Sequence, residues 1–155
     1  MRVITLKQPW ATLLVRGQKL IETRSWTPKC LGPILVHASA KFDKADKERC
    51  KKYPFNLFIS DANELPLGAI IGMVNIDAVF KSETIKTVDH FNNPGVHAGV
   101  EITKTEAAFG DYSPNRYGWL CSNAAEFPDP IPAKGQLGIW KYDGPVEHLM
   151  KEVMP

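Results

Sequence analysis

Between positions 17 and 24 the chain reads Gly17-Gln18-Lys19-Leu20-Ile21-Glu22-Thr23-Arg24, with tryptophans at 10 and 26 on either side. Lys19, Glu22 and Arg24 place three different chemistries within six residues. Arg24 offers a planar fork that can bond a phosphate or a base edge through parallel N–H groups, whereas Lys19 offers a compact point charge. Glu22, when ionised, only accepts hydrogen bonds and so suits an exocyclic amine. If 20–26 is extended, Glu22, Arg24 and Trp26 share one face, because side chains alternate along a strand. Lys19 follows the break at Gly17, so parity does not fix its direction. The same residues also read as a surface ion pair of Glu22 with Arg24 or Lys19, which contributes little.

The elements that must position these groups can be read around them. Residues 2–6 alternate as a short strand. Pro9 suits a first helical turn, Trp10, Leu13 and Leu14 fall at helical spacing, and Gly17 offers a stop. The pattern predicts strands over 19–26 and 33–39, then a charged, exposed helix over 41–53. A loop with one short helical turn is expected over 54–66. Residues 68–80 give the strongest strand signal, so continuously apolar that both faces should be buried. A short helix is expected over 103–109 and strands over 117–121 and 137–142. Between the last two, Pro128, Pro130 and Pro132 read as a rigid connector. A helix over 145–154 follows. Irregular spacing of strands and helices argues for an α+β fold, a mixed sheet curled into a small barrel with flanking helices. The 155 residues suit one domain, spanning 1–155.

Net charge is +2, yet residues 1–52 carry 12 Lys/Arg against 4 Asp/Glu while the remainder is acidic on balance. That asymmetry permits a positive face for a polyanion, unless folding mixes the two halves. No apolar run approaches the roughly 20 residues that span a bilayer. The start, Met1 to Lys7, lacks the apolar core and cleavage site of a signal peptide. Cys30, Cys50 and Cys121 are odd in number and far apart, suggesting neither disulfides nor a metal clip. A cytoplasmic location is the simplest expectation, with no membrane partner.

Several chemistries lack their signatures. No glycine-rich phosphate loop, nucleophile elbow or zinc deaminase motif occurs. His37, His90, His97 and His148 lack paired-ligand spacing, so no metal and no cofactor is expected. His90 and His97 could pair with Asp89, but no further ligand completes a site. Cys121 sits in an apolar strand and reads as a packed thiol rather than a nucleophile.

The ordered blocks Gln8-Pro9-Trp10-Ala11, the G-x-K-x-x-E-x-R run ending at Arg24, Ser25-Trp26, Gly32-Pro33 and His37-Ala38-Ser39 resemble the ASCH family. So do Arg116-Tyr117-Gly118-Trp119, Pro132-Ala133-Lys134-Gly135 and Gly138-Ile139-Trp140. These domains are homologous to part of the activating signal cointegrator of transcription. The likeness covers nearly the whole chain, in the manner of the stand-alone bacterial or phage type. It implies a PUA-like β-barrel with a cleft lined by the run, binding single-stranded RNA, another nucleic acid or a free nucleoside.

Within that cleft, ligand contact is expected from Lys19, Glu22, Arg24, Trp26, Gln8, Trp10, Ser39, Arg116, Tyr117 and Asn123. Plainer roles stand beside several of these. Trp10 fits a core, Gln8 a turn, Ser39 a cap for the following helix, and Asn123 an ordinary turn. Trp119 and Trp140 read as core, and His37 as a satisfied histidine. Lys41, Lys44, Lys47, Arg49, Lys51 and Lys52, with Lys134, either follow a phosphate backbone or form a solvated face.

Some small ASCH-like proteins are amidohydrolases that deacetylate N4-acetylcytidine, with the lysine of the run joining a threonine and a glutamate. Here Glu22 stands where that threonine would be, and Thr23 points to the opposite strand face. A hydrolase would therefore use Lys19 with Glu22 as general base. The binding module is preferred, with an amidohydrolase as the alternative and a protein partner a lesser one.

Overall fold

The computed structural model describes residues 1–88 and 100–153. In chain order they form β1 (Arg2–Leu6), α1 (Trp10–Val15), β2 (Ile21–Arg24), β3 (Gly32–Ala38), α2 (Lys44–Arg49), β4 (Ala69–Lys81), β5 (Ile85–Thr87), β6 (Val100–Ile102), α3 (Lys104–Phe109), β7 (Tyr117–Pro132), β8 (Ile139–Lys141) and α4 (Glu147–Val153). Two 3-10 turns, Phe55–Leu57 and Ala62–Glu64, follow α2. His90, His97 and Asp89 lie outside the described residues.

Six strands make one mixed sheet in the order β2-β7-β4-β3-β1-β8. Its one parallel pair is β1 with β3. A separate parallel pair joins β5 to β6. The architecture is the expected α+β. The expected barrel is a half-barrel, because β2 and β8 are left as sheet edges among the described residues. The sheet is curled enough that the Arg24 guanidinium on β2 reaches the Thr5 carbonyl on β1 at 3.0 Å, four strands away in the sheet order.

Alternation explains the apolar run of β4. Ile71, Ile4 and Val36 join one core, shared with α1, while Ile70, Val3 and Leu35 join a second on the opposite face, beneath α4. Each such side chain contributes about 1.5–3 kcal/mol on burial. Gly72 lets α1 lie directly on the sheet: a Cβ there would stand 2.9 Å from the Val15 side chain and collide with the Ala125 carbonyl. A third core, Leu13, Cys50, Phe55, Ile59, Leu65 and Phe109, fastens the α2 and α3 regions to α1.

Three sequence expectations are corrected. The helix at 41–53 shortens to α2, opened by the Asp43 carboxylate accepting from the Asp46 N–H at 2.9 Å. The strand at 19–26 shortens to Ile21–Arg24. The proline segment is no connector but the last stretch of β7, with Ile131 opposite Ile70 and Pro132 opposite Ala69. The Ala133 N–H donates to the Gly68 carbonyl at 3.1 Å, so the N–H that Pro132 lacks would face the edge away from β4, while Pro128 and Pro130 fall where the register slips between Glu126 and Ile131 and no β4 partner needs their N–H.

Candidate functional site

The run is placed by the way α1 ends. Gly17 has φ +69°, and the N–H groups of Gln18 and Lys19 both donate to the Leu13 carbonyl, at 2.9 and 3.0 Å. That left-handed stop turns the chain back and drives Lys19 inward, where it is only 2% exposed. Its ammonium donates to Glu22 Oε2 at 2.8 Å and to the Ile21 carbonyl. Glu22 Oε1 accepts from Arg24 Nε at 2.8 Å, and Arg24 Nη2 continues to Thr5. Strand parity brings Glu22 and Arg24 together, as expected. The surface ion pair of the alternative reading is instead a buried, three-membered network.

Burial alone would push the Glu22 carboxyl up, but the Lys19 and Arg24 charges and their hydrogen bonds outweigh it and hold it below the usual carboxylate range. A second carboxylate, Glu106 on α3, accepts from the Leu20 and Ile21 N–H groups at 2.9–3.1 Å. Its burial wins, so Glu106 titrates above the usual range despite those donors and Lys19. The Tyr112 hydroxyl is buried without a partner, and burial, then Glu106 and Glu22, push its pKa up. Cys121 is pushed up to about 12, chiefly by burial, which agrees with an inert packed thiol.

Beside this network lies a cavity of about 360 Å³, bordered by Lys19, Glu22, Thr23 and Arg24, by Leu6, Lys7 and Trp10, by Arg49 of α2, and by Ala108 to Asp111. Four cationic side chains face two carboxylates, Glu22 and Asp111. Trp10 is half-buried, packed edge-on against Phe55 with the Arg49 guanidinium 5.6 Å from its ring centre. Thr23 borders the cavity as well as Glu22, its hydroxyl accepting from the Asp111 N–H at 3.1 Å.

The structure thus brings together Lys19, Glu22, Arg24 and Trp10 of the expected set. The others stand elsewhere. Gln8 is fully buried; its amide donates to Thr12 Oγ1 and the Pro66 carbonyl and accepts from the Thr12 N–H, a brace for the start of α1. Trp26 packs edge-on against Trp119, 4.9 Å between ring centres, and accepts from its indole N–H. Ser39 accepts from the Lys41 N–H in a turn. Asn123 has φ +48° and is exposed where the β7 register slips against β4. Tyr117 pairs with Arg24 in the β2–β7 ladder and, with Arg116, borders a separate groove with Ser25, Lys81, Glu83 and Asn115. Arg116 still acts on the cavity wall, because it donates to the Asp111 and Thr23 carbonyls at 3.0 and 3.3 Å. His37 is buried, its Nε2 donating to the Ala133 carbonyl at 2.8 Å, while Nδ1 has no partner.

Sequence reasoning missed Lys7, Asp111 and Glu106. The one available signal for Glu106 was Thr103 three residues ahead, a helix-start pattern; its carboxylate serves β2 instead of its own helix.

The profile of the ASCH domain matches residues 4–131. The chain belongs to the ASCH family. It is similar to activating signal cointegrator 1 of Homo sapiens, 25% identical over 153 residues, covering 96% of this chain and 23% of that protein. The Mus musculus protein of the same name is 24% identical over 154 residues, with the same coverage. This ASCH chain therefore spans about a quarter of the length of those relatives. Among solved structures it is similar to the ASCH protein of Zymomonas mobilis, at 16% identity and TM-score 0.44 over 84% of this chain and 71% of that one. A mutant of that protein gives 19% and 0.45, over 84% and 73%. ASCH domains are related to the RNA-binding PUA-like domains. Among the described residues, no helix is long and apolar enough to cross a membrane.

Proposed function

We propose that this ASCH domain binds single-stranded RNA, or a nucleoside unit of it, in the cavity beside Lys19, Glu22 and Arg24. The observation that carries the reading is the convergence of four cationic side chains, a half-exposed tryptophan and a buried, charged carboxylate on one cavity. About 360 Å³ lies in the range of small-ligand sites, roughly 300–1,000 Å³. Arg24 Nη1, which makes no bond among the described residues, joins Lys7 and Arg49 in meeting phosphate oxygens. Trp10 offers a stacking face for a base. Lys19 is a positioning residue: it fixes Glu22, and Glu22 aligns Arg24.

Titration of short fluorescent single-stranded RNA across salt concentrations tests the reading. The affinity should fall as salt rises, with a log–log slope of about −0.7 per phosphate contact. Arg24→Ala should abolish most of the binding. A flat salt response, or an Arg24→Ala protein that binds as well as the parent, overturns the proposal.

A hydrolase is the second reading, favoured by the buried Lys19 ammonium 2.8 Å from Glu22 on the cavity wall. It ranks second because both Glu22 oxygens are held by cations, which makes that carboxylate a poor proton acceptor. Incubation with N4-acetylcytidine at high protein concentration decides it: no cytidine product removes this reading.

A further inference from the structure

Helix α2 is a partition with a cavity on each side. Arg49 borders the cavity just described. Lys44 and Lys47 on one face of α2, and Lys51 in the turn just beyond it, border a second cavity of about 530 Å³. The opposite wall of the second cavity is the segment carrying the two 3-10 turns, with Asn56, Ser60, Asp61 and Asn63. Phe42, Cys50 and Ile59 supply its apolar surface.

The lining of this second cavity offers charged, ring and neutral polar contacts side by side. Phe42 presents a ring to which Lys47 already applies its ammonium, 5.6 Å from the ring centre. Asn56 and Ser60 carry neutral donors and acceptors suited to base edges, and the Asn63 amide oxygen accepts from Lys47 Nζ at 3.4 Å. Three lysines face two carboxylates, and both carboxylates are already engaged: Glu48 with Lys51 at 2.8 Å, and Asp61 with the Asn63 N–H at 2.9 Å. A phosphate arriving here displaces no buried pair, since the Glu48–Lys51 bridge is solvent-exposed.

Resting on the reading of the first cavity, we infer that the second is a further nucleotide subsite, and that one single strand crosses α2 to fill both. The strand's backbone leaves the first cavity past Arg49, and its next stacked base enters beside Phe42. A helix with its side chains is about 10–12 Å across, more than a single nucleotide covers, so a mononucleotide fills one cavity and an oligonucleotide both. This gives the lysine-rich stretch a defined task, in place of a general attraction for polyanions.

Length separates this inference from the reading beneath it. Affinities of the full chain for uridine monophosphate and for oligouridylates of two, four and eight nucleotides are measured, alongside the Lys44→Ala/Lys47→Ala/Lys51→Ala variant. All three lysines are at least partly exposed, so the variant should fold, and its circular dichroism and Tm confirm that directly. The parent should gain about tenfold or more between the mononucleotide and the tetranucleotide, as one further stacked base contributes in single-strand binders. The triple variant should lose that gain, and Phe42→Leu, which keeps the apolar bulk without a stacking ring, should lose part of it. Mononucleotide binding with no gain on lengthening overturns the second subsite and leaves the first standing. A gain that survives in the triple variant also overturns it, since the strand then leaves by another route. Equal retention of polyglutamate and octauridylate assigns the lysines to unspecific polyanion attraction and sinks the subsite. No binding at any length overturns both readings together.

Discussion

Two Lys–Glu pairs in this chain share spacing and length yet differ in everything that follows. Lys19–Glu22 and Glu48–Lys51 are each three residues apart and each 2.8 Å long. The first is 1% and 10% exposed at its side chains; the second, on α2 and just beyond it, is 72% exposed at Lys51 and 51% at Glu48. The buried pair carries a third member, Arg24, and through it a bond across the mouth of the half-barrel. The exposed pair carries nothing further. Spacing makes a pair possible, but burial decides whether it is architecture or decoration, because removing one partner of a buried pair leaves a charge without water.

That contrast can be broken at its strong end first. Glu22→Ala strands the Lys19 ammonium and should cost about 3–5 kcal/mol in urea unfolding, the usual penalty for half of a buried ion pair. Lys19→Met/Glu22→Leu should recover most of that loss while leaving RNA binding abolished, which separates the pair's structural weight from its role at the cavity. A double variant as unstable as Glu22→Ala would show that the cavity wall needs the charges to fold. Next in size, Trp10→Ala should weaken single-stranded RNA by about 1–3 kcal/mol if a base stacks there. Tyr53→Ala, an exposed aromatic outside the cavity, should leave the affinity unchanged.

Acid sharpens the comparison further. Glu22 has a lowered folded-state pKa, so its stabilisation is fully present above the unfolded value of 4.5 and is lost as pH falls through the folded value. Glu106 has the opposite sign: its raised pKa makes the folded state take up a proton, so its contribution weakens as pH rises through that raised value. Glu22→Gln should therefore flatten the acid limb of a stability–pH profile, and high salt should leave the parent's limb in place, since buried pairs are poorly screened. The smallest effect is expected from Lys51→Ala, which should not move the urea midpoint measurably.

Legibility in the sequence followed the same division. The run from Gly17 to Arg24 could be singled out because its residue types are adjacent, and parity correctly joined Glu22 to Arg24. The two-faced burial of β4 was equally readable, because Ile70 and Ile71 must go to opposite sides of a strand. What could not be read was whatever another element supplies. Glu106 comes from 84 positions beyond Glu22, and Lys7, Arg49 and Asp111 meet only because α1, α2 and α3 share the Phe109–Phe55 core. Gln8, open in the sequence between a turn and the cleft, braces α1, and Trp26 packs on Trp119; a short polar or aromatic motif looks alike whether it holds the fold or meets a ligand. The prolines of β7 misled because a missing N–H forbids a strand only on the side that needs it.

Those prolines have a consequence for how copies of the chain meet one another. An open half-barrel leaves strand edges exposed, and an unpaired edge invites a second chain to add its own strand. Along 128–132, the margin of β7 away from β4 pairs with no strand among the described residues. Pro128, Pro130 and Pro132 within it carry no N–H at all. A would-be partner strand finds fewer donors than acceptors there, which disfavours edge-to-edge pairing along that stretch of the rim.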